Sequence, residues 1–448
     1  MVSLLGFVTV GAILVLLLAN RVSAVVALAG VPIVTGLIAG FSPPEIGEFA
    51  GSGIADVAGT AAMFVFAIAY FGVLRDAGMF DPIIDRIVGF AGNTPATVCL
   101  ATTLLACAAH LDGAGATTFL ITIPAMLPVF DRLGMSRLLL ATCVGLGAGV
   151  MNLLPWGGPA ARAATTTGVP VNDLWVPLIP AQIVGIVVVL GISWLLGKRE
   201  SKRIAARAEE AVAVAAGGGN VPTPPAAGAA DDTDRSNLRR PKLFWFNILL
   251  TVAVVACLVA AVATPELLFL AALVVALVVN YPGLRRQTDR IEAHAKGAML
   301  MATTLLAAGV FLGILDGTGM IEAMARTAAE AIPSGAAPAL PLIVGVLGVP
   351  LSLLFGPDAF YLGVLPVLSG VGEQFGIGAA DLARAALIGE ETLGFPISPL
   401  TGAFYLLVGL TGVGIGKHIR SLIGWAWLAS IVMLAVAFAT GAIPIWAS

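Results

Sequence analysis

Charge is what this sequence has least of. Only 11% of its 448 residues are Asp, Glu, Lys or Arg, against about 25% in soluble chains, and that scarcity excludes a water-soluble protein of this length. A net charge of -3 leaves no basic surplus for nucleic acid. There are three histidines, with no HExxH, no GxSxG and no Cys–His pair, so no enzyme constellation is in view. The four cysteines, Cys99, Cys107, Cys143 and Cys257, sit in apolar stretches without CxxC spacing. They read as small buried hydrophobes, which excludes a disulfide framework or a thiolate metal site. No resident cofactor is implied.

What is present is apolar length. Hydrophobic residues make up 59% of the chain and the mean hydropathy is +1.01. Apolar runs of about 18 residues, each able to cross a bilayer core of about 30 Å, recur along it. The first, Met1 to Leu18, has no Lys or Arg ahead of it and reads as a span, not a cleaved signal. One long polar stretch, residues 198–242, carries Gly217, Gly218, Gly219, Pro222, Pro224 and Pro225 and reads as a flexible linker. Its Lys198, Arg199, Lys202, Arg203, Arg207, Arg235, Arg239, Arg240 and Lys242 place it in the cytoplasm. The halves on either side are residues 1–197 and 243–448.

Those halves resemble each other. Gly72, Gly78 and Met79 match Gly313, Gly319 and Met320 at an offset of 241; Pro124 and Gly134 match Pro366 and Gly376 at 242; Pro155, Gly158 and Gly168 match Pro399, Gly402 and Gly412 at 244. A duplication explains the series. The fold expected is an all-α polytopic membrane protein of two inverted repeats. Each repeat has five transmembrane helices, one of them broken, and a re-entrant hairpin. The first repeat has spans near 2–19, 23–40 and 58–75, a hairpin near 94–130, a broken helix near 138–167 and a last span near 174–196. The second has spans near 243–263, 266–281 and 297–315, a hairpin near 337–372, a broken helix near 382–412 and a last span near 421–441. With the linker inside, both termini fall outside.

The hairpins and breaks are where chemistry is expected, because backbone leaves a helix at membrane depth only where protein or an aqueous cavity satisfies it. Opened helix ends offer N–H groups to an anion; freed carbonyls and carboxylates suit a cation. The candidate substrate-binding residues are Asp112, Gly113, Gly115, Thr117 and Thr118 in the first hairpin, and Asn152, Gly157, Gly158 and Arg162 in the first broken helix. In the second half they are Asp358, Tyr361, Ser398 and Thr401. Asp112 and Asp358 also stand as carboxylates for a metal carried with the substrate, since an ionised carboxylate at mid-bilayer costs roughly 3 kcal/mol. Arg162 suits a bidentate grip on a substrate carboxylate. His110, Glu390 and Glu391 are candidates for proton coupling. His294 and His418 read as solvated, and Trp175, Trp245 and Trp446 as interfacial belt residues. Both hairpin tips are expected at one cavity, with Thr117 and Ala359 reached from opposite sides. The first two spans of each half are expected to form a scaffold and dimer interface facing lipid.

Four stretches carry a family likeness: Ala69–Gly72 with Asp76–Pro82, Asp112–Thr118, Met151–Arg162 and Gly356–Tyr361. They resemble the citrate-metal:proton symporters, the CitMHS family. The resemblance implies the ion transporter superfamily fold, dimerisation, elevator-type alternating access, and import across the cell inner membrane of citrate complexed with a divalent metal ion. Two positions depart from the family's pattern, Ala114 where Asp is common and Leu154 where Thr is common, leaving one carboxylate and one hydroxyl fewer. A transporter of the same superfamily for a free dicarboxylate or gluconate, coupled to sodium or protons, is the alternative; dependence of uptake on metal separates the two.

Overall fold

The computed structural model describes residues 2–19, 21–215, 238–331 and 337–446. Among them every regular element is helical. In the first half, α1 (Val2–Leu18) and α2 (Ala24–Ile38) lead to the 34-residue α3 (Pro43–Asp76). An amphipathic α4 (Asp81–Phe90) precedes a hairpin of α5 (Pro95–Ala109) and α6 (Gly115–Arg132). An interrupted pair, α7 (Arg137–Met151) and α8 (Gly158–Thr167), is followed by the short α9 (Val171–Trp175) and α10 (Ile179–Ala215).

The second half has the same order. Its elements are α11 (Phe244–Val259), α12 (Pro265–Asn280), the 34-residue α13 (Leu284–Gly317) and the amphipathic α14 (Met320–Ala331). They are followed by a hairpin of α15 (Leu340–Leu351) and α16 (Leu365–Gln374), an interrupted pair α17 (Ala379–Ile388) and α18 (Gly402–Thr411), and α19 (Ile415–Ala439).

Local sequence explains the punctuation. Helix α3 opens on a capping box, in which the Glu45 carboxylate accepts from the Ser42 amide at 2.7 Å, with Pro43 in the first turn. Three of the five glycine pairs found by offset adopt one conformation. Gly78 and Gly319 have φ of 76° and 68°, Gly134 and Gly376 64° and 75°, Gly168 and Gly412 65° and 67°. Left-handed backbone closes helices at matching places in both halves, which glycine does without a Cβ penalty.

Among the described residues six helices are long and apolar enough to cross a membrane, or seven if α17 and α18, bent by 42°, count as one span. Helices α1, α2 and α11 have 17, 15 and 16 residues, shorter than the expected runs near 2–19, 23–40 and 243–263 because Ser23, Ser42 and Thr264 start new helices beside them. The first residues of the polar stretch are helical. Helix α10 continues to Ala215, where Arg199, Glu200, Lys202 and Arg203 favour helix and Glu200 pairs with Arg203. Gly217, Gly218, Gly219, Pro222, Pro224 and Pro225 of the linker lie outside the described residues.

The helix ends meet in two groups. At the linker end, the Arg240 amide donates to Ala77 O (2.8 Å) and its Nε to Asn280 O (3.0 Å), joining the ends of α3 and α12 to the start of the second half. At the far end, Arg384 of α17 donates to Asp173 O (2.8 Å) and Ala442 O (3.0 Å). Following the chain between these groups, α5 and α6 enter from the linker end, and α15 and α16 from the far end.

At the centre α3 crosses α13, and each also packs on the second helix of the opposite half, α3 on α12 and α13 on α2. The crossing is backbone to backbone. A Cβ on Gly53 would stand 2.0 Å from Gly309 O, and one on Gly309 2.5 Å from Gly53 O, the small-residue contact by which membrane helices gain dispersion energy. Gly309→Ala should therefore cost about 1–3 kcal/mol through overpacking. Gly47→Ala, with no neighbour within 4 Å, should cost nothing. Thermal unfolding of the purified protein in detergent checks both, and equal melting temperatures would show that the crossing tolerates a wider gap.

Candidate functional site

At the first hairpin tip α5 ends at Ala109, and residues His110–Asp112 make one 3-10 turn. Gly113 then turns left-handed (φ 72°) so that α6 can start at Gly115. Asp112 holds the turn, with Oδ1 accepting the Ala114 amide at 2.9 Å. Its other oxygen faces Arg75, at the end of α3, whose Nη1 lies 3.3 Å from Asp112 Oδ2 and donates to Thr117 Oγ1 at 3.0 Å.

At the second tip α15 ends at Leu351, and a new helix starts at Pro357, with Asp358 in its first turn. Asp358 Oδ1 accepts from Arg162 Nε at 2.7 Å, and Arg162 Nη1 lies 3.9 Å from Glu391 Oε2. Each tip therefore carries one arginine–aspartate pair. Arg162 projects from the first turn of α8, so the second pair joins the two halves.

Between the tips runs a buried polar bridge. His110 Nδ1 meets Thr118 Oγ1 at 2.8 Å and its Nε2 meets Asn152 Oδ1 at 3.1 Å; Asn152 Nδ2 donates to Glu391 O at 2.7 Å. Because the Asn152 amide N–H is spent on a carbonyl, its Oδ1 is an acceptor, and His110 carries a proton on Nε2. Trp156 Nε1 donates to Leu111 O at 2.8 Å, fastening the first tip to the first break.

Cavities open beside these groups. One of about 260 Å³ is lined by Arg75, Asp112, Gly113, Ala114, Trp156 and Gly158 among others. A second, of about 480 Å³, includes Arg75, Asp76, Thr117 and Arg239. A third, of about 510 Å³, includes Gly356, Asp358, Ala359 and Thr401, together with Val22 and Ser23 of the α1–α2 connection. Gly158, on the wall of the first, lies against Arg162: a Cβ there would be 2.7 Å from Nη1.

This differs from the single cavity expected. Asp112 and Asp358 line separate spaces, with Gly158 and Arg162 between them. Nor do Thr117 and Ala359 face opposite ends. The Thr117 cavity is walled by Arg239 at the linker end. Ala359 shares its cavity with the α1–α2 connection, at that same end because α2 and α13 pack together with Gly36 near Ile314, at the far end of α13.

The remaining candidates turn inward. Thr118, Asn152, Tyr361 and Ser398 are buried. Ser398 Oγ donates to Ser352 O, tying the second break to the second tip. Gly115 packs against the Phe395 ring and Gly157 caps α8. Glu390 and Glu391 are both buried, and neither Glu390 oxygen nor the Tyr361 hydroxyl has a hydrogen-bond partner. Among the described residues no three His, Cys, Asp or Glu side chains converge to hold a metal ion.

Several readings need correction. His418 is buried against Pro396 O at 2.8 Å. His294 bonds Asp76 Oδ2 at 2.8 Å beside Arg290, also 2.8 Å away. Neither is solvated, because each answers an acceptor inside the fold. Trp175 is buried with its N–H on Gln182 (3.1 Å), whereas Trp245 and Trp446 are exposed. Arg75 was not among the candidates: beside Asp76 at the end of an apolar run it looks like an interfacial charge.

Residues 7–389 match the family described as "Citrate transporter". The chain belongs to that family. A citrate transporter of Bacillus subtilis (strain 168) is 42% identical over 99% of this chain and all of its own length. From the same organism, a protein named as a Mg(2+)/citrate complex secondary transporter is 39% identical, again over 99% of this chain and all of its own. The solved YdaH transporter of Alcanivorax borkumensis shares the fold, with a TM-score of 0.61 over 90% of this chain and 89% of that one at 15% identity. Like its relatives, this member of the citrate transporter family is a multi-pass membrane transporter and not an enzyme.

The bridge supports a test. Asn152→Ala leaves the His110 N–H and the Glu391 carbonyl without partners, each costing about 1–3 kcal/mol, so the purified variant should unfold at a lower temperature. Unchanged unfolding with weakened substrate binding would instead mean that Asn152 serves the substrate directly.

Proposed function

We propose that this protein imports citrate as a complex with a divalent metal ion, coupled to protons, by elevator-type alternating access. The observation that carries this is the pairing at the tips. Arg75 and Arg162 each face an aspartate, so the site has no uncompensated positive charge for a free tricarboxylate. Citrate bears roughly three negative charges at neutral pH, and a divalent ion held through oxygen removes two. At either tip the complex offers carboxylate oxygens to the arginine and a cation to the aspartate, Arg75 with Asp112 or Arg162 with Asp358, and it costs far less to bury than free citrate. The names of the two Bacillus relatives support the same substrate.

Glu390 and Glu391 are the proposed proton carriers. An ionised Glu390 would have no donor on either oxygen, which an apolar interior penalises heavily. Protonation relieves that cost. The mobile unit proposed comprises the two hairpins and two broken helices, which pack crosswise, α6 on α18 and α8 on α16. The first two helices of each half, α1, α2, α11 and α12, form with the crossed α3 and α13 the fixed frame of a dimer in the inner membrane. With the linker cytoplasmic and both termini outside, the described state faces inward.

Proteoliposome uptake of labelled citrate, with divalent ions added singly and a pH gradient imposed, tests the reading. Sodium-driven uptake indifferent to metal would replace it with the dicarboxylate or gluconate alternative. Asp112→Asn and Asp358→Asn should each lower uptake at least about tenfold while still inserting, since the change lightens the insertion cost. Arg162→Lys, which loses the planar fork, should weaken half-saturation about tenfold. Glu390→Gln should abolish the response to the pH gradient, and an undiminished response would remove Glu390 from proton coupling.

A further inference from the structure

Beside the tip site, the cavity of about 480 Å³ at the linker end has a wall that the proposed transport mechanism does not use. Four segments build it, one of them the start of α4 with Asp81. The end of α3 contributes Arg75 and Asp76, α6 contributes Thr117, and the last residues of the linker contribute Leu238 and Arg239. Arg75 also lines the smaller cavity that holds Asp112, so one guanidinium forms the partition between the two spaces. Its side chain is 34% exposed.

Arg239 is held across the opening by Asp81, with Nε 3.0 Å from Oδ2, and the two side chains are 52% and 40% exposed. Such a half-exposed, single-contact pair is weak, and its partner is readily exchanged for another carboxylate. Asp76, the other acid on this wall, is already committed to Arg290 and His294. The Leu238–Arg240 segment is itself fixed. The Tyr281 hydroxyl donates to Leu238 O at 2.9 Å, and the Arg240 amide is bound to Ala77 O.

We infer that this cavity is a second, vestibular binding site for a polycarboxylate anion, in which Arg239 exchanges Asp81 for a substrate carboxylate and passes the anion to or from Arg75. The inference rests on the citrate reading for the identity of its ligand. The site gives the linker's end a role in transport, since it supplies the outer arginine on the side where the linker lies. Arg75, which already turns to both Asp112 and Thr117, is the inner one.

The test compares two variants that break the same ion pair with opposite consequences for an anion. Half-saturation for magnesium-citrate is measured in sealed vesicles with the linker side facing the varied substrate. Arg239→Gln should raise it about threefold or more and Arg239→Lys less. Asp81→Asn, which frees Arg239, should lower it. These differences should shrink as salt rises, because the groups are exposed. An unchanged value in Arg239→Gln overturns the inference. So does a rise in Asp81→Asn equal to that in Arg239→Gln, which makes the pair a structural latch. If wild-type vesicles move no citrate, the functional reading fails and the vestibule is judged by itself. Thermal stabilisation of the purified protein by free citrate should then be lost in Arg239→Gln and kept in Asp81→Asn; equal stabilisation in all three removes the site.

Discussion

Every helix that stops inside this apolar molecule leaves backbone groups that lipid cannot satisfy, and the rest of the architecture follows from where those groups find partners. The solution is mutual. The Leu111 carbonyl takes the Trp156 indole N–H, the Glu391 carbonyl takes the Asn152 amide, the Ser352 carbonyl takes the Ser398 hydroxyl, and the Pro396 carbonyl takes His418. Each interruption is stapled to another one or to a neighbouring helix. Four local weaknesses thereby become one packed unit.

The same economy governs charge. An arginine or a carboxylate alone in such an interior would be strongly unfavourable, whereas a pair with good geometry is tolerated. The Asp112–Arg75 and Asp358–Arg162 pairs keep both tips near neutrality. Glu390 is the exception, with no partner for either oxygen. An unsatisfied group kept at the centre of a packed helix bundle is a place where stability yields to function.

Much of this was legible in the sequence. Although α3 and α13 start well before, and α10 ends well after, the spans expected there, apolar runs, the offset glycines and the Gly–Pro breaks located the hairpins and interruptions to within a few residues. They are written in local backbone chemistry: Gly78 and Gly319, or Gly168 and Gly412, mark the same left-handed turn in both halves, and a left-handed residue is specified by its own lack of Cβ. The boundaries that slipped, as at α10, did so where polar residues still favour helix.

What only the tertiary structure decided is which side chain answers which. Arg75 meets Asp112 across 37 positions, Arg162 meets Asp358 across 196 and Asn152 meets the Glu391 carbonyl across 239. No periodicity carries such pairings. The sequence alone determined that polar groups stand at broken helices in a membrane protein built from two like halves. It did not distinguish Asn152 and Ser398, spent on internal carbonyls, from Asp112 and Asp358, which face cavities. Conformation near a glycine or proline is set by the atoms of adjacent residues, whereas the partner of a buried polar group is set by whichever segment packing brings within 3 Å or so of it.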